Sequence, residues 1–318
     1  MIKNKYTSKR SVLAVPGSSS KMIASARRLN VDEFFLDLED SVSSTEKDSA
    51  RALVIASLLE GKFGQKSISV RVNEQISELG IEDISLIVSE AGKCFDSIII
   101  PKVETAEQIL EIGSRLSKLE KANGLEAGTI RLQLQIESAR GLVEVQKIAS
   151  ASERTISLIF GPGDFAASMG MQVLHIGENP INYPGEDAYH YVLMSILTAA
   201  RANNLLAIDG PYSDITNIAG LKNRADLSAS LGFDGKWVIH PAQIEIVNTA
   251  FTPNQEYFDT AARIISYFSQ SEASSSAKGA HLFEGKMIDE ASRKMAETIY
   301  SKGLAAGLTP STQGDQNG

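Results

Sequence analysis

The stretch of sequence that decides the fold reads RLQLQIESARGLVEVQKIASASERTISLIFGPGD, residues 131–164. It contains two apolar runs, Leu132 to Ile136 and Ile156 to Phe160, and between them a segment with apolar residues at helical spacing. A strand, a helix and a second strand in about this length are what a parallel crossover requires. The stretch therefore predicts a βαβ unit.

A carboxylate follows each apolar run of this unit. Glu137 comes directly after the first run, and Asp164 comes after the second run and a Gly-Pro-Gly turn. In α/β proteins ligands bind at the carboxyl ends of parallel strands, and two carboxylates there favour a hard divalent cation such as Mg2+. Acids after a strand also commonly cap the next helix, so the unit alone leaves both interpretations open.

The same alternation of apolar runs and helical segments extends along the chain. Strands are predicted at 11–15, 34–38, 67–72, 97–100, 132–136, 156–160, 205–208 and 236–239. Eight such repeats predict a (β/α)8 TIM barrel as the catalytic domain, residues 1–270, because such barrels usually take about 250 residues. An open doubly wound sheet is the alternative, but no GxGxxG fingerprint follows the first strand.

The sequence after residue 270 has a different character. The segment SEASSSAK, residues 271–278, is typical of a polar linker, and a helix is predicted from about Glu290 to Lys302. We therefore expect a C-terminal helical lid segment over 271–306. Residues 307–318 are rich in Gly, Ser, Thr, Gln and Asn, which is typical of a disordered tail.

Composition limits the class of protein. The chain is 43% hydrophobic and has a net charge of −8, which is typical of a soluble globular protein and argues against nucleic acid as a partner. No apolar run approaches the roughly 20 residues of a membrane helix, and no signal-peptide core follows the basic N-terminal segment. The single cysteine, Cys94, cannot form an internal disulfide. We expect a cytoplasmic protein that has no membrane partner.

Further polar residues lie at the ends of the predicted strands. Arg71 is either a solvated side chain or a fork that grips a substrate carboxylate bidentately. Asp37, Glu39 and Asp40 are candidates for a second shell that supports metal-bound waters, although Asp40 has the alternative of pairing with Lys47. In a barrel all of these residues face the same mouth.

Other catalytic motifs are missing. The first of the four histidines is His175, so the first six predicted strands carry no histidine base. The sequence contains no HExxH, GxSxG or GxxxxGK[ST] motif, which argues against zinc proteases, serine hydrolases and P-loop enzymes.

Nine stretches, in order along nearly the whole chain, resemble the CoA-ester lyases related to the citrate lyase β subunit, within the HpcH/HpaI aldolase superfamily. They are RSVLAVPG (10–17), FLDLEDSV (35–42), SVRVN (69–73), IIIPKVE (98–104), QIESARGL (135–142), GPGDFAASMGM (161–171), AIDGPYSD (207–214), LGFDGKWVIHPAQI (231–244) and EGKMID (284–289).

This resemblance implies a TIM barrel with Mg2+, or alternatively Mn2+, on Glu137 and Asp164, and with Arg71 on the carboxylate of a small 2-oxo acid. It also implies a lid whose aspartate, Asp289, reaches the site of a neighbouring subunit as the acid/base. The functional unit would then be a homotrimer or hexamer. From the residues alone, Asp289 is as readily the N-cap of the last helix.

Contacts to the two substrates are predicted at six positions in all. Glycine lets backbone amides approach a ligand closely, so the amides of Gly163 and Asp164 join Arg71 as candidates for binding the oxo acid. Lys21, Arg10 and Lys102 are candidates for binding the phosphates of coenzyme A.

The resemblance implies a reversible Claisen cleavage of a 3-hydroxyacyl-CoA. Malyl-CoA or β-methylmalyl-CoA, which yields acetyl-CoA or propionyl-CoA plus glyoxylate, is favoured because residues 199–212 and 161–169 resemble malyl-CoA lyases. The alternatives are citramalyl-CoA cleavage to acetyl-CoA and pyruvate, hydrolysis to free malate, and a citrate lyase β subunit acting in a multi-subunit complex. The lack of an early histidine disfavours a CoA-independent class II aldolase.

Overall fold

Eight parallel strands form a closed barrel in the computed structural model, which describes residues 8–75, 77–273 and 280–311. Each strand pairs with the next along the chain, and the eighth pairs with the first. The strands are β1 (Ser11–Pro16), β2 (Glu33–Asp37), β3 (Ser67–Arg71), β4 (Ser97–Ile100), β5 (Arg131–Ile136), β6 (Thr155–Phe160), β7 (Leu206–Asp209) and β8 (Gly235–Val238). The predicted TIM barrel is confirmed.

Helices follow the strands in the order that the predicted alternation requires. They are α1 (Ser20–Ala26), α2 (Lys47–Glu60), α3 (Glu78–Ala91), α4 (Ala106–Ala122), α5 (Ala139–Val143), α6 (Val145–Ser150), α7 (Pro162–Ser168), α8 (His190–Ala202), α9 (Ile218–Leu231) and α10 (Ile244–Phe251). Several begin at a hydroxyl or amide side chain that caps the first turn, as Thr105 does for α4 by a capping box with Gln108. The single helix predicted over 139–150 is instead two short helices, α5 and α6, which meet at Glu144.

The barrel is filled by two kinds of layer. Apolar side chains from six of the strands form one inner cluster, among them Phe35, Ile99 and Trp237. Below it lies a buried polar layer, in which the Glu33 carboxylate accepts hydrogen bonds from Ser69 and Gln133. Since buried polar groups must find partners, this layer fixes the strands against one another and gives the carboxyl ends a rigid base.

A second compact unit begins at Thr252 and contains α11 (Gln255–Ala273), a hairpin of β9 (Ala280–Phe283) and β10 (Lys286–Asp289), and α12 (Glu290–Ala305). The first unit ends at Phe251, whereas the predicted catalytic domain ran to residue 270. Helix α11 accounts for the difference, because it packs on α12, with Phe258 stacked on Tyr300 at 5.0 Å between ring centroids.

Two predictions about the C-terminal region fall partly outside the described residues. Residues 271–273 of the predicted linker form the last turn of α11, and 274–278 lie outside the described part of the chain. Of the predicted disordered tail, residues 312–318 also lie outside it. Within the residues that the structure describes, no helix combines the length and apolar character needed to cross a membrane.

Closure of the barrel between β8 and β1 generates a prediction about Gly235. A Cβ atom on this residue would lie 1.7 Å from the carbonyl oxygen of Lys9, so Gly235→Ala must push the two strands apart. Overpacking of this kind typically costs about 1–3 kcal/mol. We expect a loss of that size in the free energy of unfolding, measured by urea denaturation.

The matched control is Gly113→Ala in α4, where the nearest atom to a new Cβ is 3.8 Å away. Alanine is the better helix former, so this change should be neutral or stabilising by up to about 1 kcal/mol. Equal stability of the two variants would contradict the tight approach of the strands at Gly235.

Candidate active site

A cavity of about 540 Å³ opens at the carboxyl ends of the barrel strands. Six of the residues singled out from the sequence line it: Asp37, Asp40, Arg71, Glu137, Gly163 and Asp164. They come from β2, β3, β5 and α7 and the turns after them. The barrel therefore brings together side chains that are separated by more than a hundred residues in the chain.

Arg71 is buried at the base of this cavity, with 7% of its surface exposed. Its Nε and Nη2 atoms donate to the two carboxylate oxygens of Asp37, at 2.7 and 2.8 Å. The guanidinium also lies over the rings of Phe35 and Trp237, with its carbon 5.7 and 5.4 Å from their centroids. The interpretation of Arg71 as a solvated surface side chain is therefore wrong.

Asp37 is held as a carboxylate. Burial by itself raises the pKa of this group, but the charge and hydrogen bonds of Arg71 outweigh it and leave the pKa below its usual value. The carboxylate also accepts hydrogen bonds from the backbone amides of Glu39, at 3.0 Å, and Ser41, at 3.2 Å. Asp37 thus orients Arg71 and shapes the turn after β2.

Glu39 links the two basic residues of the site. One oxygen lies 2.7 Å from Nη1 of Arg71, and the other lies 2.9 Å from Nζ of Lys102. Burial raises the pKa of Glu39 despite these two cations. Asp40 is exposed at the rim, 3.9 Å from Arg71.

The turn that carries these acids is held by Lys47. Its ammonium group donates to the carbonyl oxygens of Leu38 and Glu39, at 2.7 and 2.6 Å. In the sequence Lys47 was the alternative partner of the Asp40 carboxylate. In the structure its ammonium binds the backbone on the N-terminal side of Asp40 and leaves that carboxylate facing the cavity.

Glu137 is the buried carboxylate on the opposite side of the cavity, with 3% of its surface exposed. Its oxygens accept hydrogen bonds from the backbone amide of Lys102, at 2.7 Å, and from the side chain of Gln135. Burial, reinforced by the negative charges of Glu39 and Asp164, raises its pKa to about 8. The site thus contains five carboxyl groups, those of Asp37, Glu39, Asp40, Glu137 and Asp164, and two basic side chains in contact with them, Arg71 and Lys102.

The turn between β6 and α7 makes room for Glu137. A Cβ atom on Gly161 would lie 2.3 Å from a Glu137 oxygen, so only glycine fits there. Asp164 stands exposed in the first turn of α7, where the helix dipole favours an acid. The cap of α5 is Ser138 and not Glu137, because the Ser138 hydroxyl accepts from the amide of Gly141 at 3.0 Å.

The residues fit a divalent cation such as Mg2+. Among the described residues there is no cluster of three or more His, Cys, Asp or Glu side chains that could hold a metal by themselves. Mg2+, however, commonly takes one or two carboxylates and completes its shell with water and substrate oxygens. Glu137 and Asp164 provide two such carboxylates, and the buried Oε1 of Gln135 beside them has no protein hydrogen-bond partner in the described structure.

The predicted contacts to coenzyme A lie in three different environments. Lys21 is exposed in the first turn of α1, just beyond the carboxyl end of β1. Arg10 precedes β1 and donates to both carboxylate oxygens of Asp32, at 2.8 Å each, so it lies at the amino end of the strand and away from the cavity. The ammonium group of Lys102 lies 2.9 Å from Oε1 of Glu39. Burial by itself lowers the pKa of Lys102, but the Glu39 carboxylate outweighs this effect and leaves that pKa above its usual value.

Asp289 is the N-cap of α12 in the second compact unit, as one of its two interpretations predicted. It accepts a hydrogen bond from the backbone amide of Ser292, at 3.0 Å. The backbone and side-chain hydrogen bonds from Ser292 lower its pKa, so it is ionised at neutral pH. Its part in acid/base chemistry stays a prediction, as do the roles of the amides of Gly163 and Asp164.

Among the side chains that contact Arg71 or Glu137, those of Phe35, Gln135 and Trp237 did not emerge from the sequence as functional. Phe35 and Trp237 pack together under Arg71, with 4.5 Å between ring centroids. Gln135 shares the face of β5 that carries Glu137, and the two-residue period of a strand could have identified it. The pairing of Trp237 on β8 with Phe35 on β2 crosses the barrel, and nothing local signals it.

Comparisons with known proteins identify the family of this chain. The sequence profile of the family described as HpcH/HpaI aldolase/citrate lyase matches residues 10–241. The L-malyl-CoA/beta-methylmalyl-CoA lyase of Cereibacter sphaeroides is 35% identical over 292 residues, which cover 89% of this chain and 90% of that protein. The citrate lyase subunit beta of Haemophilus influenzae is 36% identical over 281 residues, or 88% and 92% of the two chains.

Solved structures share the fold of this chain. The CitE protein of Mycobacterium tuberculosis, in complex with magnesium, acetoacetate and coenzyme A, superposes with a TM-score of 0.71 at 27% identity, over 93% of this chain and 98% of that one. A citrate lyase from Burkholderia xenovorans shares the fold with a TM-score of 0.80 at 21% identity, over 95% and 93% of the chains. The resemblance found in the sequence is confirmed: this chain belongs to the HpcH/HpaI aldolase/citrate lyase family, and its relatives are lyases.

Proposed function

We propose that this protein is a Mg2+-dependent acyl-CoA lyase that reversibly cleaves malyl-CoA or β-methylmalyl-CoA to acetyl-CoA or propionyl-CoA plus glyoxylate. The observation that carries the proposal is one cavity in which a buried arginine fork faces two carboxylates, Glu137 and Asp164. Such a site can bind the carboxylate of a 2-oxo acid through the arginine and its oxo group through a metal held by the two carboxylates. The identity with a malyl-CoA/β-methylmalyl-CoA lyase supports the choice of substrate.

Arg71 would bind the carboxylate of the oxo acid. A guanidinium has five N–H donors, of which Asp37 accepts two and Glu39 contacts a third. At least two donors are therefore left for a ligand. Because Asp37 and Glu39 hold the group in place, little side-chain entropy is lost when the substrate binds.

Glu137 and Asp164 would hold the metal, with Asp40 at the rim beside waters bound to it. When bound, Mg2+ would supply Lewis-acid polarisation of the oxo group of the 2-oxo acid. Mn2+ prefers the same oxygen ligands and would substitute for it. The amides of Gly163 and Asp164 would complete the contacts to the oxo acid, because Gly163 borders the cavity.

Asp289 would act as the acid/base, contributed by a neighbouring subunit of a homotrimer or hexamer. In the synthetic direction its carboxylate takes a proton from the methyl group of acetyl-CoA, the resulting enolate carbon attacks the carbonyl carbon of glyoxylate, and the alkoxide oxygen that forms takes up a proton from water. In the cleavage direction the hydroxyl group gives its proton to water, the carbon–carbon bond breaks, and the protonated Asp289 returns a proton to the enolate carbon. Its lowered pKa keeps it in the basic form at neutral pH.

The second candidate is a citrate lyase β subunit, which the 36% identity with the Haemophilus influenzae protein favours. Citramalyl-CoA lyase is a third, because pyruvate differs from glyoxylate by one methyl group, and a pocket discriminates weakly against one methyl group.

Of the three predicted contacts to the coenzyme, Lys21 is the one that is exposed near the carboxyl end of a barrel strand, where the cavity opens.

A panel of substrates tests the proposal. The purified protein is incubated with Mg2+, with acetyl-CoA or propionyl-CoA, and with glyoxylate, pyruvate or oxaloacetate, and the products are identified by mass. We expect malyl-CoA and β-methylmalyl-CoA from glyoxylate, and no product when EDTA is added. Product from pyruvate alone would assign a citramalyl-CoA lyase instead, and inactivity on every CoA thioester would contradict the proposal.

Asp289→Asn tests the role of the lid aspartate. Asparagine is as good an N-cap as aspartate, so α12 should be retained while the proton acceptor is lost. We expect turnover to fall by about 10²–10⁴-fold, with the melting temperature and the Mg2+ affinity unchanged. If turnover stays within about threefold of the original protein, Asp289 is not the acid/base.

The same variant tests whether Asp289 acts between subunits. Its subunits are mixed and reassembled with those of Glu137→Gln, which lacks a metal ligand but keeps Asp289. If the aspartate reaches a neighbour's site, part of the activity returns on mixing. Two inactive proteins that stay inactive as mixed oligomers would place Asp289 in its own subunit's site.

A further inference from the structure

Lys102 has an unusual backbone conformation for its residue type. Its φ angle is +52°, in the left-handed region that non-glycine residues rarely adopt. It lies two residues after the end of β4, directly behind Pro101. Backbone outliers of this kind cluster at functional sites, where the surrounding contacts hold them in place.

The contacts that hold Lys102 reach both halves of the site. Its backbone N–H donates to Oε1 of Glu137 at 2.7 Å. Its side-chain ammonium group lies 2.9 Å from Oε1 of Glu39, and the other oxygen of Glu39 lies 2.7 Å from Arg71. Lys102 therefore contacts Glu137, a proposed metal ligand, through its backbone. Through its side chain it contacts Glu39, which in turn contacts Arg71.

The contact between the Lys102 ammonium group and Glu39 matters because Glu39 is a buried charged group. Glu39 has 5% of its surface exposed and stands beside two further acids, Asp37 and Asp40. A buried carboxylate needs cations close to it, and Glu39 contacts two, Arg71 and Lys102. Without the ammonium group, Glu39 would draw more heavily on the N–H donors of Arg71, which the substrate needs.

We propose that Lys102 is a positioning residue that sets the two halves of the site relative to each other. Its backbone amide orients Glu137, and its ammonium group orients Glu39 and through it Arg71. The inference rests on the proposed function and assigns Lys102 to the support of Glu39 and Glu137 rather than to a phosphate of coenzyme A. The two contacts are separable, because one depends on the backbone conformation and the other on the charge.

Two substitutions separate them. Asparagine tolerates the left-handed conformation but has no ammonium group, so Lys102→Asn removes only the contact to Glu39. Valine disfavours that conformation because it is branched at Cβ, so Lys102→Val disturbs both contacts. Calorimetry then measures the dissociation constant of Mg2+ alone, and that of pyruvate, a stable 2-oxo acid, at saturating Mg2+.

We expect Lys102→Asn to bind Mg2+ within about threefold of the original protein and to bind pyruvate about tenfold more weakly, the scale of one charge-assisted hydrogen bond. Lys102→Val should weaken both ligands by about tenfold. Lys102→Arg, which keeps the charge, should recover most of the pyruvate affinity. Glu137→Gln supplies the baseline for lost Mg2+ binding.

The matched control is Lys62, which also has a positive φ angle, +69°, but lies in the turn after α2. Lys62→Val should lower the melting temperature and leave both dissociation constants unchanged. Unchanged pyruvate affinity in Lys102→Asn would overturn the role of the ammonium group. Unchanged Mg2+ affinity in Lys102→Val would overturn the role of the backbone.

If Lys102→Val does not fold, Lys102→Gly takes its place and tests the backbone contact from the other side, by keeping the left-handed conformation instead of disturbing it. Glycine adopts the left-handed conformation freely, so this variant should bind Mg2+ normally and pyruvate weakly, and loss of Mg2+ binding would overturn the assignment. The dissociation constants of Mg2+ and pyruvate are measured without turnover, so these comparisons do not depend on lyase activity. Failure of the lyase assay with the original protein would overturn the proposed function and leave the binding test of Lys102 standing.

Discussion

The ion pair between Arg71 and Asp37 is the interaction on which the site depends. The two residues are partners in the register between β2 and β3, so pairing of these neighbouring strands places the guanidinium beside the carboxylate. Both are buried, and removing one partner of a buried pair typically costs about 3–5 kcal/mol. The pair is therefore built into the sheet, and the orientation of Arg71 follows from strand register rather than from a flexible loop.

Around this pair the barrel collects more acids than bases. Glu39, Glu137 and Asp164 add negative charge, and Lys102 is the second cation in contact with the cluster. Burial is the first cause of the raised pKa of Glu137, and repulsion from Glu39 and Asp164 adds to it. A divalent cation would relieve that repulsion, and an oxo acid would bridge it to Arg71. The excess of acidic side chains and the chemistry of the substrate thus both favour binding of a divalent cation together with a 2-oxo acid.

Much of this was predictable because strands and their ends leave strong local signals. The apolar runs located all eight strands, and the rule that parallel strands present their carboxyl ends at one mouth brought Asp37, Arg71, Glu137 and Asp164 together. The same rule separates Arg10 from this group. Arg10 stands just before β1 and pairs with Asp32 at the amino end of the strand, and its contact to coenzyme A stays a prediction.

The contacts that depend on tertiary structure were not predictable. The left-handed conformation of Lys102 is held by Glu137 and Glu39, which are distant in the chain. The ring pair beneath Arg71 requires the closed barrel. The assignment of α11 to the second unit rests on its packing with α12, which helical periodicity within either segment does not reveal.

The most direct test of the central claim is a crystal structure of the protein with Mn2+ and pyruvate, with the metal located by its anomalous scattering. The account predicts one Mn2+ coordinated by carboxylate oxygens of both Glu137 and Asp164, with the pyruvate carboxylate on Arg71. A metal bound elsewhere, or pyruvate that does not contact Arg71, would contradict it.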